Sequence, residues 1–182
     1  MTEQVLIIAF AASGLLLLGA HLFEWFGGLV PCVLCLDQRE AHWTALAVAA
    51  AGLIIAQIFK SKLGAGAAVG AAALVYAVST GLAFYHTGVE YKFWPGPAIC
   101  AAGPSDGIDL ESLNQALDHR ADAPSCEDVQ WRFLGVSMAG YNLLISAGLF
   151  ALTLFAAVGE IVQARRDQRS FSGSGSSNAP SA

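Results

Sequence analysis

The chain has 182 residues, of which 55% are hydrophobic and 13% are charged. A soluble domain carries about 25% charged residues, so roughly half of the expected charge is missing. The net charge of −5 comes without a cluster of basic residues, so no nucleic-acid partner is expected. The composition therefore argues against an ordinary soluble domain.

Four long stretches contain no charged residue. Each is long enough for an α-helix to cross a hydrocarbon core about 30 Å thick, and each is apolar all round rather than amphipathic. We therefore predict an all-α integral membrane protein, a four-transmembrane-helix bundle in which the first span is retained. The predicted spans are at about 5–24, 41–59, 63–85 and 134–159.

The distribution of charge predicts the orientation. Basic residues lie in the tight turn Lys60–Lys62 and in the segment 165–169, after the fourth stretch. The loops at about 25–40 and 86–133 carry little positive charge, and the second holds eight of the fourteen acidic residues. By the positive-inside rule, the N- and C-termini are expected in the cytoplasm and both loops on the outer side.

Two further segments complete the predicted organisation. In the second outer loop, apolar residues recur at helical spacing between Ile108 and Leu117, with Asp109 as a candidate N-cap. This pattern indicates a short amphipathic helix, either lying on the membrane surface or packed on its own loop. The transmembrane domain is predicted to cover 1–164, and the Ser/Gly-rich end a disordered cytoplasmic tail over 165–182.

All four cysteines fall in the predicted outer loops. Cys32 and Cys35 are in the first, and Cys100 and Cys126 are in the second. Disulfides persist in oxidising compartments such as the bacterial periplasm, so the positions of the cysteines agree with the orientation predicted from charge.

The first cysteine pair has the features that thiol–disulfide exchange requires. Pro31 favours the start of a helix, which places Cys32 and Cys35 in its opening turns and on one face. A helix N-terminus lowers the pKa of a thiol, and Arg39 follows one turn later. The alternative is a structural disulfide beside an arginine that reaches the membrane interface.

Other readings of the polar residues are less favourable. Zinc sites commonly use two closely spaced cysteine pairs, whereas only one C-x-x-C is present, and haem attachment needs a histidine where Leu36 stands. No metal site is predicted. His21 and Glu24 are interpreted as boundary residues, and His42 as a packing residue.

In combination, these motifs resemble the DsbB family of membrane thiol oxidases, in order and over nearly the whole chain. The matching pieces are Pro31–Cys35 with Arg39, then His86, Trp94–Cys100, Cys126 and Trp131–Met138.

The resemblance implies an enzyme, a DsbB-type protein-disulfide:quinone oxidoreductase in the bacterial inner membrane. A reduced periplasmic DsbA-like protein with a thioredoxin fold would attack the Cys100–Cys126 disulfide, with Cys100 forming the mixed disulfide. Electrons would pass to Cys32–Cys35 and then to a membrane quinone, ubiquinone or menaquinone. The partner would thereby be reoxidised, which sustains disulfide bond formation.

The resemblance also implies residues that bind the quinone. Arg39 would hold a quinone oxygen and stabilise negative charge on Cys35, while His86 and Met138 match positions near the quinone. Gln38 stands where some members have glutamate, so no proton-transfer role is assigned to it. The alternatives are a non-catalytic four-span protein with a disulfide-braced loop, and an oxidase resembling the vitamin K epoxide reductase family, which places its C-x-x-C late in the bundle.

Overall fold

The computed structural model describes residues 2–97 and 124–175, most of which lie in four helices. Both the helix expected between 108 and 117 and Cys100 fall outside the described residues. The helices are α1 (Thr2–Gly27), α2 (Val33–Gln57), α3 (Lys62–Glu90) and α4 (Met138–Gly175).

Among the described residues, three helices are long and apolar enough to cross a membrane. They are α1, α3 and the part Met138–Arg166 of α4. The first half of α2 is more polar, because it contains Asp37, Arg39 and Glu40. The predicted second span at 41–59 therefore stays a prediction, and the helix that contains it ends at Gln57.

The start of α4 differs from the predicted boundary at 134. The chain first forms a short antiparallel hairpin of β1 (Arg132–Phe133) and β2 (Val136–Ser137). Its two turn residues, Leu134 and Gly135, both have positive φ, as the tightest hairpin turns require. Because this turn cannot be part of a helix, α4 begins only at Met138.

The end of α4 also differs from the prediction. The helix continues to Gly175, whereas the sequence predicts a disordered tail from 165. The segment 160–169 contains glutamine, alanine and several arginines, which are good helix formers. These residues continue the helix past the apolar stretch, and the disordered tail over 165–182 stays a prediction.

The helices pack in chain order around the bundle. α2 lies against α1 and α3, and α4 lies mainly against α3, while α1 and α4 make few direct contacts. Small side chains fill much of the interior and allow the helices to approach closely. The buried core contains Val5, Leu6, Ala9, Ala45, Ala49, Val69, Ala72, Tyr76, Leu149 and Ala156.

Trp94 packs against the outer end of α3. Its indole Nε1 donates a hydrogen bond to the Tyr85 carbonyl oxygen at 2.9 Å. The ring lies directly on Gly88, where a Cβ atom would come within 1.9 Å of Cζ2 of Trp94. The segment that leads towards Cys100 therefore depends on glycine at position 88.

Gly88→Ala should destabilise the protein, because the added methyl group must displace the Trp94 ring. Overpacking of this kind costs about 1–3 kcal/mol, and we expect a lower midpoint of thermal unfolding in detergent. Gly81→Ala is the matched control, since the same helix has open space around Gly81. Equal midpoints for the two variants would contradict this account of the contact.

Candidate redox site

The first cysteine pair lies at the start of α2. Cys32 is the N-cap residue, and its Sγ accepts a hydrogen bond from the backbone N–H of Cys35 at 3.3 Å. The two sulfur atoms are 2.8 Å apart, and both residues are free cysteines. The sequence places both cysteines and Pro31 inside the helix, whereas the helix begins at Val33. Cys32 stays outside it because its extended backbone lets the sulfur cap the first turn.

The two thiols differ in acidity. Both cysteines lie before the predicted membrane span 41–59 in the sequence. The hydrogen bond donated by Cys32 lowers the pKa of the Cys35 thiol below its ordinary value, and the positive charge of Arg39 acts in the same direction. The same hydrogen bond, followed by burial, raises the pKa of Cys32. The proton of the pair is therefore favoured on Cys32, and Cys35 is the more readily ionised thiol.

His86 of α3 lies beside the Cys32 sulfur. Its Nε2 atom is 3.6 Å from Cys32 Sγ and 3.9 Å from Oε1 of Glu90. Glu90 in turn accepts a hydrogen bond from the Ser137 hydroxyl. His86 and Glu90 are both buried, so α3 presents an imidazole and a carboxyl group to the cysteine pair.

Arg39 is held by α1. Its Nη1 donates to Oε2 of Glu24 at 2.5 Å, and its Nη2 donates to the Ala20 carbonyl oxygen at 3.3 Å. An arginine near the membrane boundary needs such partners. Sequence reasoning interprets Glu24 as a boundary residue, and the structure shows that it also forms the ion pair that orients Arg39.

A cavity of about 380 Å³ brings most of the predicted site residues together. Its wall includes both cysteines of the first pair and the three predicted quinone-binding residues, and apolar side chains of α1 and α4 form much of the rest. The predicted site residues in the wall are Cys32, Cys35, Arg39, His86 and Met138.

Cys126 lies next to this pair. It is disulfide-bonded and 1% exposed, and it packs in one cluster with Cys32, Leu34 and Val89. The packing places Cys126 within contact range of the first pair.

Several polar residues of the site were missed from the sequence. Gln38, Asn142 and Glu90 also line the cavity, together with His42, which sequence reasoning interprets as packing. The sequence does indicate that Asn142 has a polar partner, because an amide in the apolar stretch 133–159 is costly without one. Its partners on α2 lie about 100 residues away in the chain, so the sequence alone could not identify them.

A sequence model of the family described as "Disulfide bond formation protein DsbB" matches residues 2–156. The chain belongs to the DsbB family. Three relatives bear the name disulfide bond formation protein B. The protein from Marinobacter nauticus is 32% identical over 80% of this chain and 88% of its own length. Those from Xanthomonas campestris and Aeromonas salmonicida are 30% and 27% identical, over 84% and 85% of this chain, and each is covered over 88% of its own length.

Membership of the DsbB family, with three apolar helices of spanning length, makes this an inner-membrane protein of disulfide bond formation. It also supports an oxidoreductase that acts on a periplasmic thiol partner. The matched residues 2–156 contain both the redox pair and the cavity.

The two cysteines of the DsbB-family C-x-x-C should react differently with an alkylating reagent. We expect Cys35 of the reduced protein to react with iodoacetamide at a pH where an ordinary cysteine is still protonated, because its pKa is lowered. Cys32 should react slowly up to alkaline pH, because its pKa is raised. Mass spectrometry of the two modified sites across a pH series measures both, and equal rates would contradict the assignment.

Proposed function

We propose that this protein is a thiol:quinone oxidoreductase that reoxidises a DsbA-like periplasmic thiol oxidase. The observation that carries the proposal is the position of Cys35, a thiolate in the wall of a cavity that also presents Arg39, His86 and Met138. The cluster of Cys126 with Cys32 supports electron transfer between the two cysteine pairs.

The relay begins at the second cysteine pair. A thiolate of the reduced partner attacks Cys100 of a Cys100–Cys126 disulfide, and Cys126 leaves as a thiolate. The second thiol of the partner then resolves the mixed disulfide. The partner leaves as a disulfide, and Cys100 and Cys126 retain two electrons as thiols.

The first pair receives these electrons in a second exchange. A thiolate of the reduced second pair attacks a Cys32–Cys35 disulfide, so that one disulfide breaks as the other reforms. The contact of Cys126 with Cys32 in one buried cluster supports this direct exchange. The product has Cys32 and Cys35 as thiols and the second pair again as a disulfide.

The cavity has the size and chemistry that fit a quinone head group. Small-molecule sites usually enclose about 300–1,000 Å³, with apolar walls and a few converging polar groups. Here α1 and α4 supply the apolar walls and Arg39 supplies the cation. A guanidinium group has five N–H donors, and only two of its nitrogens bond to α1. Arg39 therefore retains donors for a quinone oxygen.

A bound quinone supplies an acceptor for two electrons and two protons. The protein contributes the Cys35 thiolate as the electron donor and keeps the proton of the pair on Cys32, as the shifts of the two pKa values indicate. Arg39 stabilises negative charge beside Cys35. His86 and Met138 lie in the same wall and would contact the bound quinone.

The packing of the helices suggests how a lipid-soluble acceptor reaches the site. α1 and α4 make few direct contacts, and both contribute to the wall of the cavity. In a bundle of four spans with both termini in the cytoplasm, this seam opens from the outer half of the bilayer towards Cys35. We infer that the quinone enters between α1 and α4.

Thiol consumption tests the proposed function directly. The purified protein, in detergent with a reduced DsbA-like protein and ubiquinone or menaquinone, should oxidise the thiols of the partner, as followed by thiol titration. Cys35→Ser should abolish this oxidation, and a metal chelator should leave it unchanged. If thiol loss in the wild-type protein is no faster with quinone than without, the proposal is wrong.

The order of exchange can be tested by trapping the intermediate. When the reduced partner carries serine in place of its second cysteine, the mixed disulfide that forms as Cys126 leaves cannot be resolved by the partner, so Cys100 should remain joined to it. Mapping the trapped adduct by mass spectrometry identifies the cysteine. An adduct on Cys32 would contradict the proposed order.

Arg39→Ala should weaken the use of quinone without changing recognition of the thiol partner. Loss of a hydrogen bond from a charged group costs about 1.5–3 kcal/mol, so the apparent KM for quinone should rise at least about tenfold. Steady-state oxidation at varied quinone concentration measures this effect. Arg166→Ala, at the opposite end of α4, is the control, and an unchanged KM in Arg39→Ala would exclude the proposed role.

A further inference from the structure

Buried imidazole and amide groups beside the cysteine pair form a single chain of hydrogen bonds. Gln38 Nε2 lies 2.7 Å from His86 Nδ1, and Asn142 Nδ2 donates to Gln38 Oε1 at 2.5 Å. His42 Nε2 lies 2.8 Å from Asn142 Oδ1. The chain thus connects α2, α3 and α4 behind the redox pair.

The chemistry of the amide group fixes the direction of every bond in this chain. An amide nitrogen only donates and an amide oxygen only accepts. His86 Nδ1 must therefore accept from Gln38, which leaves the proton of the neutral ring on Nε2, 3.6 Å from Cys32 Sγ. For the same reason His42 Nε2 donates to Asn142. The donors from His42 to His86 therefore point towards the first cysteine pair, and the backbone of Cys126 is a second hydrogen-bond partner of His86.

The Cys32 thiol extends the chain by donating to Cys35 Sγ at 2.8 Å. Aligned hydrogen bonds polarise one another, and they do so more strongly where water is excluded. Four members of the chain, Cys32, Gln38, His42 and His86, are between 2% and 6% exposed. Among the described residues, every buried side-chain nitrogen and oxygen has a hydrogen-bond partner. The chain is therefore largely buried, with Asn142 and Cys35 half-buried, and its hydrogen bonds are satisfied.

We propose that Asn142 and His42 are positioning residues of the redox pair. Through Gln38 they hold His86 as a hydrogen-bond donor to Cys32, and the aligned chain thereby stabilises negative charge on Cys35. This inference rests on the proposed function in one respect, the role of Cys35 as the reacting thiolate. It assigns a task to two side chains that do not touch either sulfur atom.

Charged and titratable groups from each neighbouring element also face the pair, and they remain in place in the variants considered below. They are Arg39 of α2, Glu24 of α1 through its ion pair with Arg39, Glu90 of α3, Tyr141 of α4, and Asp128 in the segment after Cys126.

The decisive experiment measures the alkylation of Cys35 across a pH series in the reduced, full-length protein in detergent. Iodoacetamide is the probe, and mass spectrometry of the Cys35 site gives the rate. In Asn142→Leu the chain is broken, so Cys35 should be less ionised. At a pH below the wild-type midpoint, its rate should fall about threefold to tenfold, and the profile should move to higher pH.

Ser146→Ala is the matched control for Asn142→Leu. Ser146 donates to the same Asn142 Oδ1 at 3.2 Å, but it lies outside the aligned chain, so the variant should keep the wild-type profile. A second pair of variants tests the far end of the chain. His42→Leu should shift the profile in the same direction as Asn142→Leu, whereas His42→Gln should restore it, because a glutamine amide can donate to Asn142.

Profiles of Asn142→Leu and His42→Leu that coincide with the wild-type profile would overturn the proposal. An equal shift in Ser146→Ala would also overturn it, since the effect would then come from changed packing around Asn142 and not from the aligned hydrogen bonds. If Asn142→Leu does not fold, the two His42 variants test the proposal in its place. The readout needs neither quinone nor thiol partner, so its failure leaves the proposed function intact, and failure of quinone-dependent oxidation leaves this result intact.

Discussion

The contact between the sulfur atoms of Cys32 and Cys35 is the interaction on which the site depends. It exists because Cys32 caps α2 and accepts the backbone N–H of Cys35, which fixes one sulfur against the other at 2.8 Å. The contact also makes the two thiols unequal, because it lowers the pKa of Cys35 and raises that of Cys32. A structural disulfide would need neither arrangement.

The packing of the helices determines what surrounds this contact. The interior of small residues draws α1, α2 and α3 close together, while α4 packs on α3 and leaves a seam with α1. The cavity beside Cys35 lies along that seam. Cys126, buried against Cys32, supports an exchange path on the other side. The cysteine pair thus lies between Cys126 and the cavity, as the proposed relay requires.

Much of this arrangement could be predicted from local sequence. Apolar runs of spanning length predicted the helices, and the C-x-x-C with Arg39 one turn later predicted a reactive pair in the first outer loop. These features are local, because spacing along one helix determines which side chains share a face. Family membership, expected from the order of the motifs, was confirmed.

The partners of these residues could not be predicted, because they come from distant parts of the chain. Glu24 was interpreted as a boundary residue and His42 as packing, and their contacts with Arg39 and Asn142 depend on how the helices are arranged. Helix ends were also misjudged. The turn at Leu134 and Gly135 delays α4, and good helix formers after 159 prolong it to Gly175.

The central claim is that electrons leave the protein from the Cys32–Cys35 pair. A single-turnover experiment tests it most directly: the fully reduced protein is mixed with one equivalent of quinone, quenched by alkylation at successive times, and each disulfide is identified by mass spectrometry. The Cys32–Cys35 disulfide should appear first, followed by transfer of oxidation to Cys100 and Cys126. Appearance of a Cys100–Cys126 disulfide before any Cys32–Cys35 disulfide would contradict the claim.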